Sequence, residues 1–408
     1  MELANRKNLE LSSSQEAIDF INRKASSEPD FFELLISSLQ KASVHGKSGL
    51  DSELYNALQW PTDIESYIIF LVEFSRWIPQ QSDNPAWKNP QTENSQEVYD
   101  RLCHFYYLID QTVGPNNTKI VQNIDWFSLW LVDFANLWGS FLDTPESFSK
   151  ETLESFIKYS PKYRLQDSMI DGKPNKPGGW NSFNEFFSRE LNKGLRPIAD
   201  PTDNSVVTAG ADCTYRKHYN IRSDSTIEQI TIKKTHAFAS IPELLKGSKY
   251  ANAFANGTFV HYFLGPYSYH RFHTPVAGTM EECYAVQGLT YLEVNLLKDQ
   301  FDAPDNSEGG YEFSQARGIV TIDTSNSPCG DIGIVAVVPV GMCQVSSVKM
   351  TAKPGKVEKG DEFGYFLFGG SDIILIFQEG KAPDINTCDH YRHYGTDISI
   401  CPPERGGV

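Results

Sequence analysis

The hydrophobic pattern changes period part-way along the chain, and that change limits the possible folds more than any other feature. Apolar residues recur at helical spacing across 14–24, 30–42, 64–77 and 97–109, the repeat expected of a helix with one buried face. Polar gaps with Pro, Asn and Gly separate them at 78–93 and 111–117. Trp126, Phe127, Trp130, Phe134, Leu137, Trp138 and Phe141 then form a wide aromatic stripe. Its spacing of three and four reads as a buried helix face rather than a ligand surface. Residues 160–179 are loop-rich, marked by Pro161, Pro174, Pro177, Gly178 and Gly179. One short helix is expected over 182–191, with Ser182 as N-cap and Glu185 three residues on. After Pro197 the character becomes β, with short β-branched or aromatic runs at 258–264, 318–322, 332–340 and 373–377. The expectation is an α+β chain: an all-helical domain over 1–155, then a mainly antiparallel β core over 156–408.

Charge narrows the partners. The 36 Lys+Arg against 52 Asp+Glu leave a net charge of −16, which argues against nucleic acid and against anionic lipid, since both need basic clusters. The polar start, Met1 to Ser14, does not read as a signal peptide. The apolar stretch 67–74 is too short to span a bilayer, and 126–142 contains Asp133 and Asn136. The seven cysteines, at 103, 213, 283, 329, 343, 388 and 401, form no CxxC pair and are odd in number. They read as reduced thiols of a cytoplasmic protein. The lipoyl-like stretch 353–361 suggests a compact β-hairpin barrel, without a lysine placed to act as a carrier arm.

Common nucleotide, zinc-protease and serine-hydrolase motifs are absent, but two segments carry chemistry. In the first, His270 and His273 flank Arg271 and are followed by Pro275 and Gly278. A metal reading lacks further ligands nearby, so a catalytic base or an anion-binding pair remains, beside the plain alternative of two structural histidines. In the second, Gly369-Gly370-Ser371-Asp372 joins two apolar β runs. Two glycines suit a turn, and they equally suit a peptide whose carbonyl is attacked by the next hydroxyl.

Taken in order, these segments resemble the phosphatidylserine decarboxylase family of pyruvoyl enzymes. Asn181–Leu191 with Arg196-Pro197-Ile198 is similar to its FF-[ST]-R…RP block. Ala211-Asp212-Cys213-Thr214 resembles its ADGT turn, with Cys213 in place of glycine. Tyr269–Gly278, Gly288–Asn295, Val340–Val348, and Lys359–Phe366 followed by Gly369-Gly370-Ser371 resemble four further blocks. The helical part resembles that of a soluble fungal subgroup that includes an L-tryptophan decarboxylase, most of all at Leu137–Leu142.

The resemblance implies a chain that cuts itself between Gly370 and Ser371 into 1–370 and 371–408, turning Ser371 into a pyruvoyl group, with no metal and no pyridoxal phosphate. His273 would activate Ser371 and Asp212 would fix the His273 tautomer. His270, Arg271 and Asp372 would contact substrate. Asp372 departs from the family, which usually carries a hydroxyl residue there. The implied reaction is loss of CO2 from a free aromatic or hydrophobic L-amino acid through a Schiff base. A phosphatidylserine substrate and an uncleaved, non-catalytic chain are the alternatives. The implied partner is a small amine or amino acid; nucleic acid and membrane are not expected, and a homodimer is left open.

Overall fold

The computed structural model describes residues 13–89, 94–231, 238–304, 310–343 and 348–403. Contacts divide the chain into two compact units. The first takes in 1–161, 181–183 and 289–304, and the second 162–180, 184–288 and 305–408. The stretch 289–304 thus packs with the helices, although it lies within the range read from sequence as β core.

The first unit is helical: α1 Ser14–Ser27, α2 Pro29–Gly49, α3 Ser52–Ala57, α4 Ile64–Phe74, α5 Glu97–Tyr107, α6 Asp125–Leu142 and α7 Lys150–Tyr159. Their starts follow local chemistry. The Asp51 carboxylate accepts from Glu53 N and Leu54 N, Asp63 and Ser66 cap α4 reciprocally, and Ser149 accepts from Thr152 N. Pro29 opens α2, where its missing N–H is harmless. The aromatic stripe is core, as its period implies. Phe127, Trp130, Phe134 and Trp138 are buried on α6, and the Trp138 indole donates to Trp77 O at 2.9 Å. Among the described residues no helix is long and apolar enough to cross a membrane.

The second unit is built on antiparallel strands, which gives the α+β class expected. We label them β1 Cys213–Asn220, β2 Thr258–Leu264, β3 Arg271–His273, β4 Gly278–Val286, β5 Arg317–Asp323, β6 Ile334–Met342, β7 Val348–Met350, β8 Gly355–Val357, β9 Glu362–Phe366, β10 Gly370–Phe377 and β11 Tyr391–Arg392. Eight form one sheet in the order β8-β4-β5-β6-β10-β2-β1-β11, and β7-β9-β3 form a second. In place of the expected hairpin barrel, 355–357 is a short edge strand of the large sheet.

Strand β10 is central, paired with β6 on one side and β2 on the other. Its side chains alternate between faces. Ile374 and Ile376 enter a core with Phe259, Ile319, Ala336 and Val338, while Ser371 and Ile373 point to the opposite face.

Two local expectations change. The short helix, α8, covers only Phe183–Phe187. It stops where the Ser188 carbonyl accepts from Arg271 Nε at 2.8 Å and Arg189 Nη2 reaches Tyr163 O. The cysteines are not all reduced: Cys388 and Cys401 form a disulfide, and the other five form none. The chain folds back after β11, with Asn386 N donating to Ile398 O, so the two Cα atoms come within 5.8 Å. A separation of 13 residues carries no sequence signal for such a return.

Ile374→Ala is expected to cost about 2–5 kcal/mol in urea unfolding, since it leaves a cavity in the sheet core. Ile157→Ala, on the exposed side of α7, is expected to change stability by less than about 0.5 kcal/mol.

Candidate active site

Ser371 sits one residue into β10, where Gly341 on β6 and Leu264 on β2 flank it. Its side chain is fully buried. Gly369, just before the Gly370–Ser371 peptide, has φ +148°, a backbone state that only glycine reaches without strain. His270 Nδ1 lies 3.2 Å from Ser371 Oγ. The imidazole is fully buried, stacked 4.0 Å from the Phe187 ring and set edge-on to Phe366. The His270 carbonyl accepts from Phe366 N, so backbone and ring are both fixed. Burial drives the His270 pKa down to about 3, and the Arg189 charge adds to the fall. The ring is therefore neutral near pH 7, able to accept the serine proton at Nδ1.

His273 is held elsewhere. Its Nδ1 faces Gly360 O at 2.9 Å and its Nε2 faces the Tyr269 hydroxyl at 3.2 Å. A carbonyl can only accept, so Nδ1 carries the proton and Nε2 accepts from Tyr269. The ring lies parallel to Tyr394 with centroids 3.7 Å apart, and burial lowers its pKa to about 4. Gly360 rather than Asp212 thus fixes the His273 tautomer. The Asp212 carboxylate receives Arg196 Nη2 at 2.7 Å, His393 Nδ1 at 3.0 Å and Tyr394 N at 2.8 Å. Burial alone would raise its pKa, but hydrogen bonds from His393 and Arg196 outweigh it and hold the carboxyl well below its ordinary range.

Two expected substrate contacts are otherwise engaged. Arg271 donates to Glu362 at 2.6 Å and to Ser188 O, and it reaches Glu190 at 3.6 Å. Asp372 points to the face of β10 opposite Ser371, as strand alternation requires, and its carboxylate lies 2.9 Å from His261 Nε2 with both side chains fully buried. The structure therefore brings together Gly370, Ser371 and His270. It places Asp212 and His273 in an adjoining network through Tyr394, and it separates Arg271 and Asp372 from the serine.

A cleft of about 600 Å³ opens between Pro201, Ala277–Thr279, Asn326–Cys329, Lys356–Lys359 and Asp361, and none of these site residues lines it.

The family model described as phosphatidylserine decarboxylase matches residues 183–396, more than half of the chain. The chain belongs to the phosphatidylserine decarboxylase family. It is a decarboxylase by kind, and the family uses a pyruvoyl group. "Decarboxylase iboD" of Amanita muscaria (strain Koide BX008) is 31% identical over 275 residues, covering 62% of this chain and 77% of that protein. "Phosphatidylserine decarboxylase proenzyme 2" of Oryza sativa subsp. japonica is 35% identical over 57% of this chain, but only 34% of its own length is covered. A "phosphatidylserine decarboxylase proenzyme" of Chlamydia trachomatis serovar L2 is 34% identical over 55% of this chain and 67% of its own.

Sequence reasoning missed His393 and Tyr394, which come from the far end of the chain to meet Asp212 and His273. It also missed Phe187 as the platform for His270 and His261 as the partner of Asp372. Arg196 was visible only as part of a motif.

His270 and His273 are neutral when folded and take up protons on unfolding below their ordinary value of 6.5. Their contribution to stability is full above that pH and is lost as pH falls toward their lowered values. Thermal unfolding scanned from about pH 8 to about pH 4 should show a midpoint that is steady above 6.5 and falls below it, with a shallower fall in His270→Gln. Equal slopes in the two proteins would contradict a buried neutral His270.

Proposed function

We propose that the chain cleaves itself at Gly370–Ser371 and, carrying a pyruvoyl group at position 371, decarboxylates a free aromatic or hydrophobic L-amino acid. The observation that carries this reading is the Ser371 hydroxyl 3.2 Å from a neutral, fully buried His270. In domain terms, 1–155 is an accessory helical domain, to which 289–304 also packs, and the rest of 156–408 is the decarboxylase core, in a cytoplasmic protein.

The first step uses only the chain's own groups. Ser371 Oγ attacks the Gly370 carbonyl carbon while His270 Nδ1 takes the hydroxyl proton. The C–N bond breaks, His270 returns the proton to the leaving nitrogen, and Gly370 is left as an ester on Ser371. His270, neutral again, takes the Ser371 Cα proton, the Cβ–Oγ bond breaks to release the Gly370 carboxylate, and the resulting dehydroalanine takes the proton back on its methylene carbon as an imine. Water then releases ammonia and leaves the ketone. The residues present fit such a group: a glycine precedes the serine, and the surroundings are closed and mostly apolar. The ketone supplies an electron-withdrawing carbonyl that binds a substrate amine while CO2 leaves. His270, neutral and next to that centre, is placed to hold and return a proton. Phe187, Phe366 and Phe368 exclude water and offer ring faces to an apolar side chain. The Asp212–Arg196–His393 cluster and Tyr394 keep His273 and its strand in place.

Support for a free amino acid comes from the net charge of −16, and the Amanita relative, matched over 77% of its length, is named a decarboxylase without mention of a phospholipid. Phosphatidylserine is the second reading, favoured by the printed names of the rice and chlamydial relatives.

CO2 release from a panel of free L-amino acids and from phosphatidylserine vesicles separates the two. Release from free aromatic or hydrophobic amino acids is expected, with none from Ser371→Ala. Release from vesicles alone would replace the first reading by the second. His270→Gln is expected to lower the rate by about 10²–10⁴-fold, the range for loss of a general acid–base group.

A further inference from the structure

The Cys388–Cys401 disulfide lies beside a third donor that the decarboxylase chemistry does not use. His390 Nδ1 donates to Pro402 O at 2.8 Å and lies 3.5 Å from Cys401 Sγ, and one ligand atom from each of Cys388, His390 and Cys401 falls within 4.8 Å of the others. Arg392 Nη2 contacts Cys388 Sγ at 3.6 Å. Cys401 is exposed, so a reductant can reach the bond. The five other cysteines form no disulfide.

The loop that this bond closes matters to the site. It carries β11, whose Arg392 donates to Ile400 O and Asn386 O, and then His393 and Tyr394, which hold Asp212 and cover His273. If the disulfide is reduced and nothing replaces it, the loop loses its covalent closure.

We propose that Cys388, His390 and Cys401 form a thiol-controlled clasp. Oxidised, it is a disulfide; reduced, it is a site for a thiophilic divalent ion of the zinc type. Reduction by a dithiol supplies two electrons and two protons, breaks the S–S bond and leaves two thiols, while the dithiol becomes a disulfide. The ion then displaces both thiol protons and forms two metal–sulfur bonds; the His390 proton moves from Nδ1 to Nε2, the hydrogen bond to Pro402 O opens, and the freed Nδ1 lone pair takes the third position, leaving a fourth for solvent. Either state closes the same loop. The donor set is Cys2His, suited to zinc and distinct from the oxygen-rich sites of magnesium or calcium.

Co²⁺ titration of the full chain tests this. After reduction with a dithiol and its removal without air, cobalt–thiolate absorption is expected to saturate near one ion per chain. Zn²⁺ should abolish the absorption, and unreduced protein should show none. His390→Ala should weaken binding by at least the ~10-fold typical of losing even an outer partner of a ligand. A second measurement uses wild-type protein alone. Zn²⁺ should protect Cys388 and Cys401 from iodoacetamide, read by peptide mass, without protecting Cys283 or Cys329. Absence of the cobalt absorption, undiminished binding in His390→Ala, or failure of Zn²⁺ to protect those two cysteines would overturn the proposal.

Discussion

The contact between His270 and Ser371 depends on where β10 is held, and the rest of the catalytic unit is arranged around that. A strand flanked on both sides cannot shift register without turning its side chains over. Here a shift of one residue would put Asp372 against His270 and Ser371 into the apolar core. The buried Asp372–His261 contact on one face and the serine on the other therefore lock each other. Burial supplies the second half of the constraint. An imidazole surrounded by Phe187 and Phe366 is kept neutral, and a neutral ring can take a serine proton where a charged one cannot.

The chain's far end completes the arrangement. β11 pairs alongside the start of β1, Tyr391 with Thr214 and Arg392 with Cys213. That pairing delivers His393 and Tyr394 to Asp212, which immediately precedes β1. In the proposed cleaved form these residues belong to the short fragment, and Asp212 to the long one. The carboxylate's contacts with His393 and the Tyr394 amide would then help bind the two fragments, together with the pairing of β10 between β2 and β6.

Much of this was legible in sequence, because period and motif report local chemistry. The stripe reads correctly as core at Phe127, Trp130, Phe134 and Trp138, while Trp126, Leu137 and Phe141 are half-buried, and β-branched runs at 258–264 and 373–377 are strands. The Gly-Gly-Ser run and the two-histidine segment point to the candidate site even when their partners are unknown. What sequence could not resolve was which histidine meets the serine. His270 and His273 are three residues apart, and only the backbone bonds of His270 O to Phe366 N and of His273 N to Gly210 O separate their destinations. The opposite orientation of Asp372 follows from strand alternation once Ser371 is known to lie inside a strand rather than at a turn. The partners His261 and His393 lie far along the chain and Cys401 only 13 residues from Cys388, yet spacing carries no trace of any of these meetings.

The central claim is that a neutral His270, pressed against Ser371, drives the break between Gly370 and Ser371. Intact mass under denaturing conditions, measured on freshly purified wild type, His270→Gln and His273→Gln, tests it most directly. The account predicts fragments 1–370 and 371–408 in wild type, the shorter carrying a pyruvoyl mass. It predicts a mainly uncut chain in His270→Gln and a smaller loss of cutting in His273→Gln. An uncut wild type, or His270→Gln cut as completely as wild type, would contradict it.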